Sequence, residues 1–462
     1  MKIKSIQYIS ALMFIALFAS CVTTKYVQPQ ITDNKLYRDA AVQDSTTIAD
    51  IPWKEYFKDA NLQNLINEGL QNNYDIQIAS ARIKQTEASL HAAKLAYLPS
   101  LSAGTGATFS KLNPVQSSGL LTHSNIYQLE VTTSWEADIW GKISSAKKAA
   151  LASYLQSDAY KRVVQTSLIA NIANNYYALL TYDKQLEITK STIKLLEENV
   201  KTMEDLKEAN IVTQAAVEQN KALLYSTQLS IPDLENNIKS LENSICYLLG
   251  REPGPIVRSL MDEQSVPTQL DYGIPAQLLS KRPDVMMEEY AFRAAFEKTN
   301  VAKASLYPSL TLSGSAGYST LNTLMQFFDY SNLFASIAGS ITQPIFNQGR
   351  LKSQLKISQA QQEEALLNFK STVLNAGNEV SNALYAYNRA KSKDHDRGLQ
   401  VEALQKSVDM TKELLTYSDA NYTEVLTAEQ NLLSAKLSQV NDKLQQLQAA
   451  INLYKALGGG TK

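Results

Sequence analysis

The residues that build metal centres and disulfide frameworks are scarce in this chain. Its 462 residues include two cysteines and three histidines, and these do not cluster. Zinc sites and disulfide scaffolds need such clusters, so neither organises this protein. Cys246 lies in an apolar helical run and reads as a small buried hydrophobe. Formal charge is −1, which implies no bulk attraction to nucleic acid. Glycine (17) and proline (12) are few, so the chain has few breaks. Past the first 20 residues no stretch is long and apolar enough to cross a bilayer as a helix. No phosphate loop, zinc pattern or nucleophile motif occurs, so no cofactor and no enzymatic activity are expected.

The N-terminus is the first informative segment. Lys2 and Lys4 precede an apolar run from Ile6 to Phe18, and the small residues Ala19 and Ser20 follow. This is the pattern of a signal peptide, too short for a spanning helix. Cys21 after the small residues resembles a bacterial lipobox, which implies lipidation of Cys21. Phe18 departs from the leucine usual at that place. A secreted chain without a spanning helix can enter a membrane as a β-barrel alone.

One unit is written twice. "AKLAYLPSLSAG" (Ala93 to Gly104) recurs as "AKASLYPSLTLSG" (Ala302 to Gly314), and Gly141 lies opposite Gly349 as the point where strand becomes helix. Each half orders helix, strand, loop, strand, helix. The strands show a period of two. Leu101, Ala103, Thr105, Ala107 and Phe109 alternate with Ser, Gly and Thr; Tyr127 to Ile139 alternate with Gln128, Glu130, Thr132, Ser134, Glu136 and Asp138. Two further segments, near 308–346, repeat the pattern. Each strand is roughly 10 to 14 residues, long enough to cross a bilayer when tilted. Aromatic residues at the strand ends (Tyr97, Trp140, Tyr307, Phe327, Phe328 and Tyr330 among them) fit interfacial girdles. A soluble sheet with one face on a core is the competing reading.

The remainder reads as helix. No Gly or Pro occurs between Gly141 and Pro232. A helix from Lys142 to about Lys207, and a second from Arg350 to about Tyr417, would each be about 100 Å long at 1.5 Å per residue. Their narrow apolar stripes suit coiled-coil seams. Asn210 ends the first by taking the left-handed conformation. Ser418, Asp419 and Asn421 break the second. Shorter helices return, Gln214 to Leu249 and Glu424 to Leu457. Helices Leu62 to Ala96 and Pro283 to Leu306 lead into the strands. The organisation is a signal peptide at 1–20, an extended segment at 21–59, a first repeat at 60–250, an irregular linker at 251–277, a second repeat at 278–457 and a short tail at 458–462. The two irregular segments suggest a belt around the middle of the helical body.

"SIPDLENNIKSLENSICYLLG", "IPAQLLSKRPDVMMEEYAFRAA", "YPSLTLSG" and "NLYKALGGG" together resemble the TolC-like outer membrane factors of Gram-negative bacteria, in their lipoprotein branch. The resemblance covers essentially the whole mature chain. It implies a mostly α fold with a transmembrane β-barrel: long helical hairpins, and four strands per chain in a 12-stranded barrel shared by a homotrimer. Four strands cannot close a barrel, and an open edge cannot sit in lipid, so the implied trimer answers a physical requirement. It further implies a periplasmic adaptor, an inner-membrane pump of the resistance–nodulation–division type, and a gate at the helix tips. The candidates for that gate are Tyr417, Asp419 and Asn421 at the second tip and Glu208 and Asn210 at the first. Relatives often have glycine in these turns, and simple helix termination is the bland reading of each residue.

Glu130, Glu136 and Asp138 share the polar side of one strand, with no histidine or lysine base nearby in the pattern. They read as a charged barrel lining rather than catalytic acids. Arg282 in "KRPD" is expected to pair with Asp284 or to cap a helix that starts at Pro283. The expected function is passive: the exit duct of a tripartite efflux pump in the outer membrane. A type I protein-secretion duct and a coiled-coil lipoprotein scaffold are the alternatives.

Overall fold

A computed structural model of the protein describes residues 23–29, 36, 47–111, 123–265, 278–321, 323–416 and 422–461. Cys21 with the signal segment, and Tyr417, Asp419 and Asn421, lie outside the described residues. In chain order the main elements are α1 (Ala60–Asn72), α2 (Tyr74–Leu95), β1 (Ser100–Lys111), β2 (His123–Ala137), α3 (Lys142–Glu208) and α4 (Gln214–Leu249). The second half supplies α5 (Pro283–Ala304), β3 (Ser309–Leu321), β4 (Leu333–Thr342), α6 (Arg350–Thr416) and α7 (Tyr422–Ala456). The halves match in length. The helices before the strands, α2 and α5, have 22 residues each. The long helices α3 and α6 have 67 each.

Several boundaries differ from expectation, among them the following three. The run from Leu62 to Ala96 is two helices, because Asn73 takes an extended conformation (φ −60°, ψ 130°) and its side-chain oxygen accepts from the amides of Asp75 and Ile76. That side chain is an N-cap, so it ends one helix and starts the next. The strand expected to reach Ile139 stops at Ala137, where the chain turns toward α3. The second returning helix starts at Tyr422 rather than Glu424.

The strands form one antiparallel sheet in the order β1-β2-β3-β4. Register settles which residues share a face. Leu101 lies opposite Thr133, Thr105 opposite Leu129, Trp135 opposite Leu312, Leu129 opposite Tyr318, and Leu310 opposite Ile341. One face is therefore Leu, Val, Ala, Trp, Tyr and Ile across all four strands. The other face is mostly Ser, Thr, Gly and Gln with Glu130 and Glu136, and it also carries Ile126, Leu321, Phe334 and Ala338. The apolar face is not packed on a core: Leu101 is 76% exposed and Ile337 91%. A soluble sheet would bury that face.

The chain divides into two compact units. One gathers the strap at 23–29 with Ile83–Ser157 and Glu288–Phe369, and holds the sheet. The other gathers the described parts of Ile31–Arg82, Asp158–Met287 and Lys370–Lys462. Its core holds Leu62, Ile66, Ile172, Tyr176, Leu179, Leu180, Leu249 and Leu453, all fully buried. Among the described residues no helix is long and apolar enough to cross a membrane.

Candidate functional site

At the foot of the sheet each strand pair becomes a long helix through a left-handed glycine. Gly141 has φ +73° and Gly349 has φ +78°, backbone that side chains with a Cβ rarely adopt. The two junctions are otherwise built differently. In the first, Asp138 accepts from the amides of Ile143 and Ser144, both at 2.8 Å. These are orphan donors at the positive end of the α3 dipole, so the carboxylate serves as a cap. Lys142 Nζ lies 2.9 Å from Glu136 Oε1. Trp140 donates from Nε1 to the Pro308 carbonyl and packs its ring on Tyr307, with centroids 5.1 Å apart. The second junction has Pro344 and Phe346 in the corresponding places and no acid.

Glu130 stands apart from its two neighbours in sequence. It accepts a hydrogen bond from Gln128 Nε2 at 2.9 Å. No cation of the described residues lies within ion-pair distance. The trio grouped by sequence thus separates into a cap, an ion pair and an uncompensated carboxylate.

The aromatic residues expected at the strand ends gather at two levels. Trp135 donates to the Tyr97 carbonyl at 2.9 Å at the helical end of the sheet, the end at which Trp140 packs on Tyr307. At the opposite end Tyr318 packs against Phe327 and Phe328, and Phe109 against Tyr127.

The N-terminal strap runs along α5 from this same junction. A Cβ added to Gly141 would come within 3.0 Å of Thr23 Oγ1. Thr24 is held by Asn300: its amide donates to Asn300 Oδ1, and its carbonyl accepts from Asn300 Nδ2 at 2.9 Å. Tyr26 packs between Phe292 and Phe296 with Arg293 over its ring. Burial pushes its hydroxyl pKa up to about 12, Glu289 adding and Arg293 opposing. The chain two residues past Cys21 is therefore fixed beside the strand-to-helix turn. No sequence periodicity signals this strap; it depends on side-chain hydrogen bonds between residues 276 positions apart.

At the first helix tip the expected terminator is in place. Asn210 has φ +60°. Its amide donates to the Lys207 carbonyl and that of Ile211 to Leu206, a Schellman closure. Glu208 is the exposed last residue of α3. A cavity of about 350 Å³ beside it is lined by Met203, Leu206 and Ile211 together with Val425 and Leu426 of α7.

The "KRPD" arginine sits at a different joint. Arg282 is 6% exposed and pairs with Asp284 and Glu379 at 2.5 and 2.6 Å. It also donates to the Ala456 carbonyl at 2.8 Å. Pro283 is the first residue of α5, as its missing amide allows. The first repeat places Asn73 at the same point: its Nδ2 donates to the Leu248 carbonyl at 2.9 Å. Leu248 and Ala456 each lie two residues before a left-handed glycine, Gly250 and Gly458. Sequence reading missed Asn73, although "NYDI" against "RPDV" in the repeat was the available signal.

Comparison with known proteins fits this geometry. The model of the family described as outer membrane efflux protein matches residues 65–251 and again 274–459. A probable outer membrane lipoprotein, SilC of Salmonella typhimurium, is 27% identical over 418 residues, covering 89% of this chain and 88% of the relative. The toluene efflux pump outer membrane protein TtgC of Pseudomonas putida is 28% identical over 419 residues, covering 88% and 85%. Among solved structures, the outer-membrane channel OprN superposes with a TM-score of 0.88 at 24% identity, covering 96% of this chain and all of that one.

Proposed function

The chain belongs to the outer membrane efflux protein family, and on that footing we propose that it is the lipid-anchored exit duct of a tripartite efflux pump. One observation carries this reading. The sheet has an exposed apolar face, a polar face, and edge strands β1 and β4 with no partner among the described residues. Lipid covers the first face and water the second. Three copies close the edges into a 12-stranded barrel, since unpaired strand edges are not tolerated in hydrocarbon. The relatives' names speak for efflux over protein secretion, and an amphipathic sheet has no use in a coiled-coil scaffold.

The strap supports the anchor. It holds residue 23 at the level of Trp140 and Tyr307, the interfacial aromatics, so acyl chains on Cys21 would reach the bilayer directly. The gate is proposed at the helix tips, with Glu208 and Asn210 on the first and Tyr417, Asp419 and Asn421 on the second. A periplasmic adaptor opens it, and an inner-membrane pump of the resistance–nodulation–division type supplies the energy. The protein itself catalyses nothing and holds no cofactor. Purified protein should run as a trimer in detergent and give small, steady conductance in planar bilayers. A monomer without conductance overturns the reading.

A further inference from the structure

We propose that Glu130 alone sets the ion preference of the barrel interior, and that Glu136 and Asp138 take no part. The inference rests on the duct reading above, which places the polar face of the sheet in water.

The polar face is almost free of charge. Ser100, Ser102 and Thr108 on β1, Thr311, Ser313 and Ser315 on β3, and Ser336 and Ser340 on β4 are neutral. On β2 the charged members are Glu130 and Glu136. Glu136 lies within ion-pair distance of Lys142, so its field is largely cancelled. Asp138 lies beyond the strand, where two amides hold it at the N-terminus of α3 and the helix dipole, about half a positive charge, offsets part of its field. Glu130 has one neutral donor, Gln128, which leaves its charge in place.

The sheet also clears space for it. Register puts Gly104 of β1 and Gly317 of β3 directly opposite Glu130, one on each side. Neither has a side chain to cover the carboxylate. A Cβ at Gly317 would meet the Leu129 carbonyl oxygen at 2.0 Å and Glu130 Cα at 2.7 Å, so glycine is required there. Twelve strands about 4.8 Å apart and tilted about 40° give a barrel roughly 24 Å across. Every point on the axis level with Glu130 then lies within about 12 Å of three carboxylates. The screening length is about 8 Å at physiological salt and about 3 Å at 1 M, so in the first case the ring is felt strongly along the wall and weakly on the axis, and in the second it is screened at both. It favours cationic cargo and holds back anions.

Conductance is a poor reporter while the tips are closed, so the test reads the barrel locally. A nitroxide is attached through Thr132→Cys, on the same face two residues away, with Cys246 left unlabelled because it is buried. In liposomes, electron paramagnetic resonance compares collisions with anionic chromium oxalate and with a neutral nickel chelate. Glu130→Gln should raise the anion-to-neutral ratio about twofold at 0.15 M salt and leave it unchanged at 1 M. Glu130→Asp should retain the low ratio, and removing the neutral pair together, Glu136→Gln with Lys142→Gln, should not alter it. An unchanged ratio in Glu130→Gln, or an equal rise on removing that pair, overturns the assignment. A label reached by dissolved oxygen but by neither aqueous reagent would instead overturn the duct reading itself.

Discussion

The two repeats share a backbone and differ in where they place charge. In the first, the junction between strand and long helix is ionic, with Asp138 capping and Glu136 paired with Lys142, while the gripping side chain at the other joint, Asn73, is neutral. In the second the arrangement is reversed: the junction at Gly349 has no acid, and the joint at Arg282 holds an ion cluster around a buried guanidinium. What the halves keep in common is left-handed glycine at each turn and one side chain reaching a carbonyl near the end of the returning helix. The backbone conformation is the part that cannot change. The gripping side chain can be an amide or a guanidinium, because a carbonyl accepts from either.

The comparison is broken most forcefully at Arg282. Arg282→Ala leaves Asp284 and the Ala456 carbonyl without their donor in a buried place, and should cost about 3 kcal/mol, toward the low end for a broken buried pair because Glu379 is half in water. Asn73→Ala removes a cap and one hydrogen bond, and should cost about 2 kcal/mol. Denaturant unfolding of each variant in detergent measures both. Equal losses would mean that charge adds nothing to the second joint.

The glycines should show the opposite, two halves responding alike. A Cβ on Gly250 would meet the Asn72 carbonyl oxygen at 2.6 Å, and one on Gly458 the Lys281 carbonyl oxygen at 2.4 Å. Both also have positive φ. Gly250→Ala and Gly458→Ala should each cost about 2 kcal/mol, combining left-handed strain with a backbone clash. Both carry left-handed strain, so a difference above about 1 kcal/mol between them would show that the repeats are not equivalent at this turn.

Most of this fold is legible in the sequence because its signals are local and repeated. The period of two fixes which strand residues share a face, and the absence of Gly and Pro leaves the long helices uninterrupted. Asn210 announces the end of α3 through one dihedral angle. What is illegible depends on distant partners. Nothing local separates Asp138 from Glu130: both are acids at even positions of one run, and the helix that claims Asp138 begins only after Gly141. Asn73 is hidden for a similar reason, since its two neighbours suit a helix and the break comes from its own side chain capping the next one. The strap at Thr24 and Tyr26 leaves no pattern, because it is anchored on α5, far along the chain.

The smallest expected effect separates the joints by pH. Burial alone would push the Asp284 carboxyl up, but the Arg282 guanidinium outweighs it and holds the group below its usual 3.8. A depressed folded value means stability that is present above about pH 4 and is lost as pH falls through the folded value. Asn73 does not titrate, so its grip on the Leu248 carbonyl has no such dependence. Hydrogen exchange of the α5 amides after Pro283 and the α2 amides after Tyr74, corrected for intrinsic rate and followed from pH 6 to pH 3, should show α5 losing protection while α2 holds. Asp284→Asn should start with weaker protection at neutral pH and show a flatter acid limb. Parallel loss at both helices, or an acid limb unchanged in Asp284→Asn, would assign the acid sensitivity elsewhere and reduce the difference between the repeats to one of sequence alone.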